Sequence, residues 1–333
     1  MNDNTHHPHA VPTNIITGFL GVGKTSAILH LLSQKPAHER WAVLVNEFGE
    51  IGVDGSLLNG QYSKEQGIFI REVPGGCMCC ASGLPMQIAL NQLLSKAKPD
   101  RLLIEPTGLG HPKEVLQVLS AEYYKKVLSV QKTLTLVDAR KLTDQRYTSH
   151  DTFNQQIAIA DTIIGNKLDL YRESDRARLV DYVKHRGQKH ANVIFAEFGE
   201  VDLVTLQGPI ASLPSQSNHH HDHQVTTSIT DDIIPECGYI KAVNEGEGFF
   251  SVGWRISQEK VFSRQQLILL LAGLKVERMK AVLITDEGIF GYNLSADALT
   301  EVELDDCLES RIEIISESID DSLEARLLEC IEL

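Results

Sequence analysis

The sequence predicts an α/β chain: a parallel sheet with helices on both faces, followed by a smaller α+β unit. Three observations carry that reading. Short apolar runs alternate with stretches of helical periodicity through the first two-thirds of the chain, the pattern of parallel strands joined by right-handed helical crossovers. A glycine-rich turn links the first apolar run to the first helical stretch. Composition then shifts over 208–231 to Gly, Pro, Ser, Asn, His and Asp, as linkers do. The length, 333 residues, suits two domains at roughly 150 residues each. The expected division is a first domain over 10–208, a linker over 209–234 and a second domain over 235–333.

Each element follows from local pattern. Asn14-Ile15-Ile16-Thr17 is a short strand, and residues 25–33 continue at helical spacing. Trp41–Val45 and Gly67–Ile70 read as the next strands. The apolar positions Leu84, Ile88, Leu90, Leu93 and Leu94 make Ser82–Lys96 a helix. Arg101–Ile104, Thr133–Val137 and Thr162–Ile164 are strands, followed by a charged helix over 173–186 and the strand Val193–Ala196. Beyond the linker the pattern is mixed. Strands are expected at Tyr239–Val243, Phe249–Ile256, Ala281–Thr285 and Arg311–Ile315, with helices near 263–274 and 319–332.

Composition narrows the function. Net charge is −14, from 31 Lys and Arg against 45 Asp and Glu. That argues against nucleic acid as a partner, since phosphate backbones are bound by basic stripes. Residues 301–333 carry twelve acidic side chains against Arg311 and Arg326, and this tail reads as a solvated acidic helix. No apolar run approaches the ~20 residues of a membrane helix, and Met1–Ala10 has no apolar signal core. The expectation is a cytoplasmic protein without a membrane partner.

Gly18-Phe-Leu-Gly21-Val22-Gly23-Lys24-Thr25 fits G-x-x-x-x-G-K-[ST], after a strand and opening a helix. This is the signature of a P-loop NTPase sheet. Gly18, Gly21 and Gly23 let backbone amides of the loop, from Val22 through Ser26, wrap phosphates at a helix N-terminus. Lys24 reaches the β- and γ-phosphates, and Thr25 offers its hydroxyl to Mg²⁺. Glu105 ends a strand placed where a metal-facing acid belongs, and Thr107-Gly108 resembles a γ-phosphate-sensing hinge. Lys24, Thr25 and Glu105 are the candidate catalytic residues. Asn166-Lys167-Leu168-Asp169 follows a later strand and matches the guanine signature of P-loop GTPases. There the Asp carboxylate spans two base donors that adenine lacks, and Asn meets the base edge. A site so built rejects the base that leaves its carboxylate unpaired.

Three of six cysteines crowd into Cys77-Met78-Cys79-Cys80. Cys77, Cys79 and Cys80 are too few for a closed tetrahedral cage, and suit an exchangeable site for Zn²⁺, or for Co²⁺ less tightly. A redox pair and inert thiols are the alternatives. His219, His220, His221 and His223 fall in the linker, either collecting transition metals weakly or forming a solvated tract.

Together these motifs resemble the CobW-like metal-handling GTPases. The likeness rests on Thr17–Thr25, on Asn46-Glu-Phe-Gly-Glu-Ile-Gly-Val-Asp54, on Gly76–Cys80, on Ile104–Pro112 and on Asn166–Asp169. It continues less specifically in Glu277-Arg-Met-Lys280 and Ser310–Ile315. The resemblance implies GTP hydrolysis coupled to binding zinc and delivering it to a metal-requiring client protein, with Cys77, Cys79 and Cys80 as ligands. It also implies that Glu47 or Glu50 gives a carboxylate to zinc or Mg²⁺. Val45 departs from relatives that carry Glu there, and Glu105-Pro106 replaces the more frequent Glu-Thr or Glu-Cys. Two rivals stand beside it: a zinc buffer with structural nucleotide, and a P-loop enzyme of cobalamin or cobalt handling. The oligomeric state, including a homo-oligomer, is not written in the chain.

Overall fold

β1 (Val11–Gly18), β2 (Trp41–Val45), β3 (Ile68–Glu72), β4 (Arg101–Glu105), β5 (Leu128–Val130), β6 (Leu134–Val137), β7 (Thr162–Gly165) and β8 (Asn192–Phe195) form one sheet in a computed structural model of the chain. The structure describes residues 10–45, 66–73, 84–110, 112–211, 234–246, 248–295, 298–304, 307–318, 320 and 322–332. The sheet is parallel, in the order β3-β2-β4-β1-β6-β7-β8, with β5 beside the start of β1. β1 is buried from Thr13 to Gly18, as a strand with neighbours on both edges and helices on both faces must be. Its side chains alternate between two cores. Ile16 packs with α1 (Lys24–Ser33), while Ile15 packs with α2 (Leu84–Ala97) and α3 (Pro112–Leu119). After α4 (Glu122–Lys125) and α5 (Gln145–Thr148), α6 (Asp151–Ala158) and α7 (Glu173–Arg186) join the α1 side. β1 thus lies between β4 and β6, and the crevice beyond their C-terminal ends is where such sheets bind ligands.

A second sheet follows. It holds β9 (Tyr239–Gly246), β10 (Phe249–Ser257), β11 (Arg278–Thr285), β12 (Gly288–Ser295), β13 (Leu299–Leu304) and β14 (Glu309–Ser316), antiparallel in the order β13-β12-β11-β14-β10-β9. Period-two alternation sorts its residues. Met279, Ala281 and Leu283 of β11 face one way with Trp254, Tyr292 and Ile312, under α8 (Arg264–Ala272) and α9 (Leu323–Leu328). Arg278 and Lys280 face the other way. In register beside Lys280 stand Asn293 on β12 and Glu313 on β14. This polar face rests on the first sheet. Phe249 and Ile315 enter the α1-side core, and Phe249 stacks edge-on to Phe19 at 6.5 Å. Arg311 pairs with Glu72 of β3 at 3.6 Å. Arg146 bridges Glu277 and Glu317 at 3.2 and 2.5 Å.

The fold class agrees with the sequence reading; the tail does not. β13 (Leu299–Leu304) is not expected from the sequence, the strand expected at Arg311–Ile315 lies within β14 (Glu309–Ser316), and the terminal helix shrinks to Leu323–Leu328. Three of the tail's acids are paired within the chain: Glu301 with Arg264 at 2.7 Å, Glu309 with Arg255 at 2.7 Å, and Glu324 with Lys241 at 2.6 Å. β12 and β13 are not legible in the sequence. β12 is interrupted by Gly291, and β13 is largely exposed, with Glu at 301 and 303. No helix among the described residues is long and apolar enough to cross a membrane.

Candidate functional site

The phosphate end begins where β1 stops. Gly18, Gly21 and Gly23 adopt φ of 146°, 67° and 94°, values that side-chain-bearing residues rarely take. A Cβ at Gly18 would also stand 2.5 Å from the Leu136 carbonyl oxygen. α1 starts at Lys24 with no side chain capping it, so its first amides are left for an anion. Lys24 is buried, and its Nζ donates to the Phe19 carbonyl at 3.3 Å. Thr25 Oγ1 donates to Glu105 Oε1 at 3.3 Å. Glu105 is 2% exposed, and its Oε2 is buried with no hydrogen-bond partner. Burial pushes this carboxyl above its ordinary value, against the pull of Lys24, Arg278 and the Thr25 hydroxyl. Beside it the hinge closes in. A Cβ at Gly108 would stand 3.2 Å from Lys24 Nζ, and Gln156 of α6 holds the Gly108 carbonyl at 2.9 Å.

The base end lies after β7. Asn166 is buried, and its amide joins two loops: Nδ2 donates to the Val22 carbonyl at 2.8 Å and Oδ1 accepts from Gly199 N at 3.0 Å. The structure therefore gives it a positioning role, clamping the phosphate loop to the loop after β8. Lys167 follows with φ 63°, and Asp169 lines the same cavity as Lys24, Thr25 and Glu105. So does Phe198, 70% exposed, an aromatic face beside Asp169. The cavity is about 320 Å³, within the usual range of ligand pockets.

The second sheet supplies the far wall. Lys280 Nζ donates to Thr25 Oγ1 at 2.8 Å, and Arg278, Asn293 and Thr300 line the cavity. Sequence reasoning gave none of the four a place in the site, although Arg278 and Lys280 fall in the Glu277–Lys280 segment of the family resemblance. Arg278 and Lys280 are basic residues at i and i+2 in an apolar strand, a signal that cannot say what they face. Phe198 and Gln156 carried no motif at all.

Of the residues singled out from the sequence, Gly21, Gly23, Lys24, Thr25, Ser26 and Glu105 come together with Asn166, Lys167 and Asp169 in one cavity, whereas Gly18 and Val22 are not part of its lining. Glu47, Glu50, Cys77, Cys79, Cys80, His219, His220, His221 and His223 lie outside the described residues. Among the described residues, no three His, Cys, Asp or Glu side chains gather in a group that could hold a metal ion.

Comparison with known proteins places the chain in a family. The model of the CobW/HypB/UreG nucleotide-binding domain matches residues 12–202. The chain belongs to this family. It is 42% identical over 313 residues to the zinc chaperone YeiR of Escherichia coli strain K12, covering 92% of this chain and 93% of that one. The zinc chaperone CobW of a Sinorhizobium species is 29% identical over 64% of this chain and 70% of its own. The zinc chaperone YjiA of E. coli is 30% identical over 59% of this chain and 60% of its own. Within this CobW/HypB/UreG chain, the matched residues contain the P-loop, Glu105 and the Asn166–Asp169 segment.

Proposed function

We propose that this chain is a GTP-hydrolysing zinc chaperone, in which nucleotide turnover controls the binding of zinc and its delivery to a client protein. The observation that carries the reading is one cavity where Lys24, Thr25, Glu105 and Asp169 converge, in a chain matched along nearly its whole length by a zinc chaperone. Asp169 selects guanine through two base donors, and Phe198 offers the ring an apolar face. Lys24 and the first amides of α1 stabilise the charge on the phosphates while water attacks the terminal phosphorus in line, its bond to the β–γ bridging oxygen breaks, and GDP and phosphate leave. The Thr107–Gly110 hinge, pressed against Lys24 and held by Gln156, is positioned to respond to the terminal phosphate.

Thr25 and Glu105 suit Mg²⁺. Both are oxygen donors of the kind hard cations take, and the buried Glu105 Oε2 has no partner. These two residues would hold the ion, which would neutralise charge on the β- and γ-phosphates.

Zinc is the cargo. Cys77, Cys79 and Cys80 are the ligands proposed for it, with Glu47 or Glu50 and the histidines of 219–223 as auxiliary donors. The thiols lie in the chain between β3 and the Glu105–Gly110 hinge, so loss of the terminal phosphate can reshape them. In this reading residues 10–208 are the GTPase domain, 209–234 the linker and 235–333 the second domain. Phosphate release from GTP and from ATP tests the proposal. GTP turnover is expected well ahead of ATP, and none from Lys24→Ala; equal turnover of both nucleotides would contradict it.

A further inference from the structure

We propose that Arg278 and Lys280 form a second phosphate-binding wall, so that nucleotide sits between the two sheets and the antiparallel sheet senses its terminal phosphate. This rests on the cavity being a GTP site. The two side chains project from the same face of β11, two residues apart, and are only 5% and 8% exposed. Lys280 Nζ stands 2.8 Å from Thr25 Oγ1, at the first turn of the phosphate loop helix. The charge of Arg278 acts on Glu105, whose Oε1 accepts from the same Thr25 hydroxyl. Neither contact belongs to the P-loop's own architecture; both are brought in by the second sheet.

Charge argues the same way. In a chain of net charge −14, this cavity is lined by Lys24, Lys167, Arg278 and Lys280 against Glu105 and Asp169. Glu313, opposite Lys280 on β14 and accepting from Ser251 Oγ at 2.8 Å, adds one acid behind the wall. The cavity lining thus carries four cations against two carboxylates, with Glu313 behind it, a field that favours an anionic ligand. Phosphate oxygens are the anions this geometry fits, and charged hydrogen bonds to them are among the strongest available. A nucleoside triphosphate offers more of that charge than a diphosphate does, so the wall discriminates between them.

The test uses the full chain with fluorescent GDP and a non-hydrolysable GTP analogue. Lys280→Met and Arg278→Gln should each weaken the analogue by about tenfold or more, leave GDP nearly unchanged, and slow turnover; Lys280→Arg should recover most of the loss. If these residues only strap the sheets together, melting temperature falls while the analogue-to-GDP affinity ratio stays at the wild-type value, and the proposal is overturned. Amide exchange on wild-type protein gives an independent readout that survives a misfolded variant. β11 should exchange more slowly with the analogue than with GDP, and equal exchange would overturn the proposal. Wild-type preference for GTP over ATP is measured alongside. Its absence would sink the GTP reading itself, whereas an unchanged analogue-to-GDP ratio with preference intact would sink the wall alone.

Discussion

At the scale of single residues, the site depends on buried polar groups whose partners are fixed. Asn166 holds Val22 O and Gly199 N at once, and Asn166→Ala leaves both without a side-chain partner. Each orphaned buried group costs about 1–3 kcal/mol. Thermal or denaturant unfolding should show a loss of about 2 kcal/mol or more, together with weaker nucleotide binding. Unfolding that superimposes on the wild type would show that the clamp does not operate. Gly23→Ala should behave similarly, because its Cβ would meet Asn166 Nδ2 at 2.5 Å from a backbone at φ 94°. The role proposed for Asp169 is on the ligand instead. Asp169→Ala should erase the preference for GTP over ATP, a ratio expected to be on the order of a hundredfold or more, as read from kcat/KM for the two nucleotides. A retained preference would place base selection elsewhere. The motif residues were readable because their chemistry is local: Gly18, Gly21, Gly23, Lys24 and Thr25 declare a turn and a helix start within eight positions. Asn166 was half readable. The spacing identified the segment, but only the fold shows that its amide is committed to backbone.

Among the elements, β14 shows how the acidic tail is stabilised. Arg255 of β10 reaches diagonally to Glu309 of β14 at 2.7 Å, with side chains 9% and 12% exposed. Glu309 also accepts from Arg311 at 2.9 Å. Burial alone would raise the Glu309 carboxyl, but hydrogen bonds from Arg255 and the charges of Arg311 and Arg255 hold it below its ordinary 4.5. A carboxyl depressed in the folded state contributes stability that is complete above the unfolded value and is lost as pH falls through the folded one. Glu309→Gln should therefore flatten the acid side of the stability curve, below about pH 4.5. Glu309→Ala should cost about 3 kcal/mol at neutral pH, because it removes the carboxylate that meets the buried Arg255 guanidinium. Identical acid limbs for Glu309→Gln and wild type would contradict the assignment. Charge counting suggested a solvated helix here because a net count cannot see pairing: Arg264, Arg255 and Lys241 lie far upstream in sequence and meet Glu301, Glu309 and Glu324 only in the folded chain. The first sheet was more legible. Trp41–Val45 and 173–186 fall where apolar run and helical spacing put them, since buried parallel strands are continuous apolar runs.

For the molecule as a whole, the two sheets share one cavity, and the proposed function couples nucleotide chemistry in it to both. That arrangement suits a carrier, whose cargo affinity must change between loading and release. The thiols and histidines proposed to bind zinc lie outside the described residues, so the coupling is read from chain order: Cys77–Cys80 precede β4, whose end carries Glu105 and the hinge. Replacing all three thiols by Ser should remove the tight zinc site while GTP binding persists; a tight site surviving in that variant would mean other ligands. The central claim is that nucleotide state sets zinc affinity. It is tested most directly by titrating zinc against a competing chelator with a non-hydrolysable GTP analogue, with GDP, and without nucleotide. Coupling of ~1–3 kcal/mol predicts zinc dissociation constants differing by about 5- to 150-fold between analogue and GDP. Equal constants in all three conditions would contradict the account and leave a zinc buffer whose nucleotide is structural.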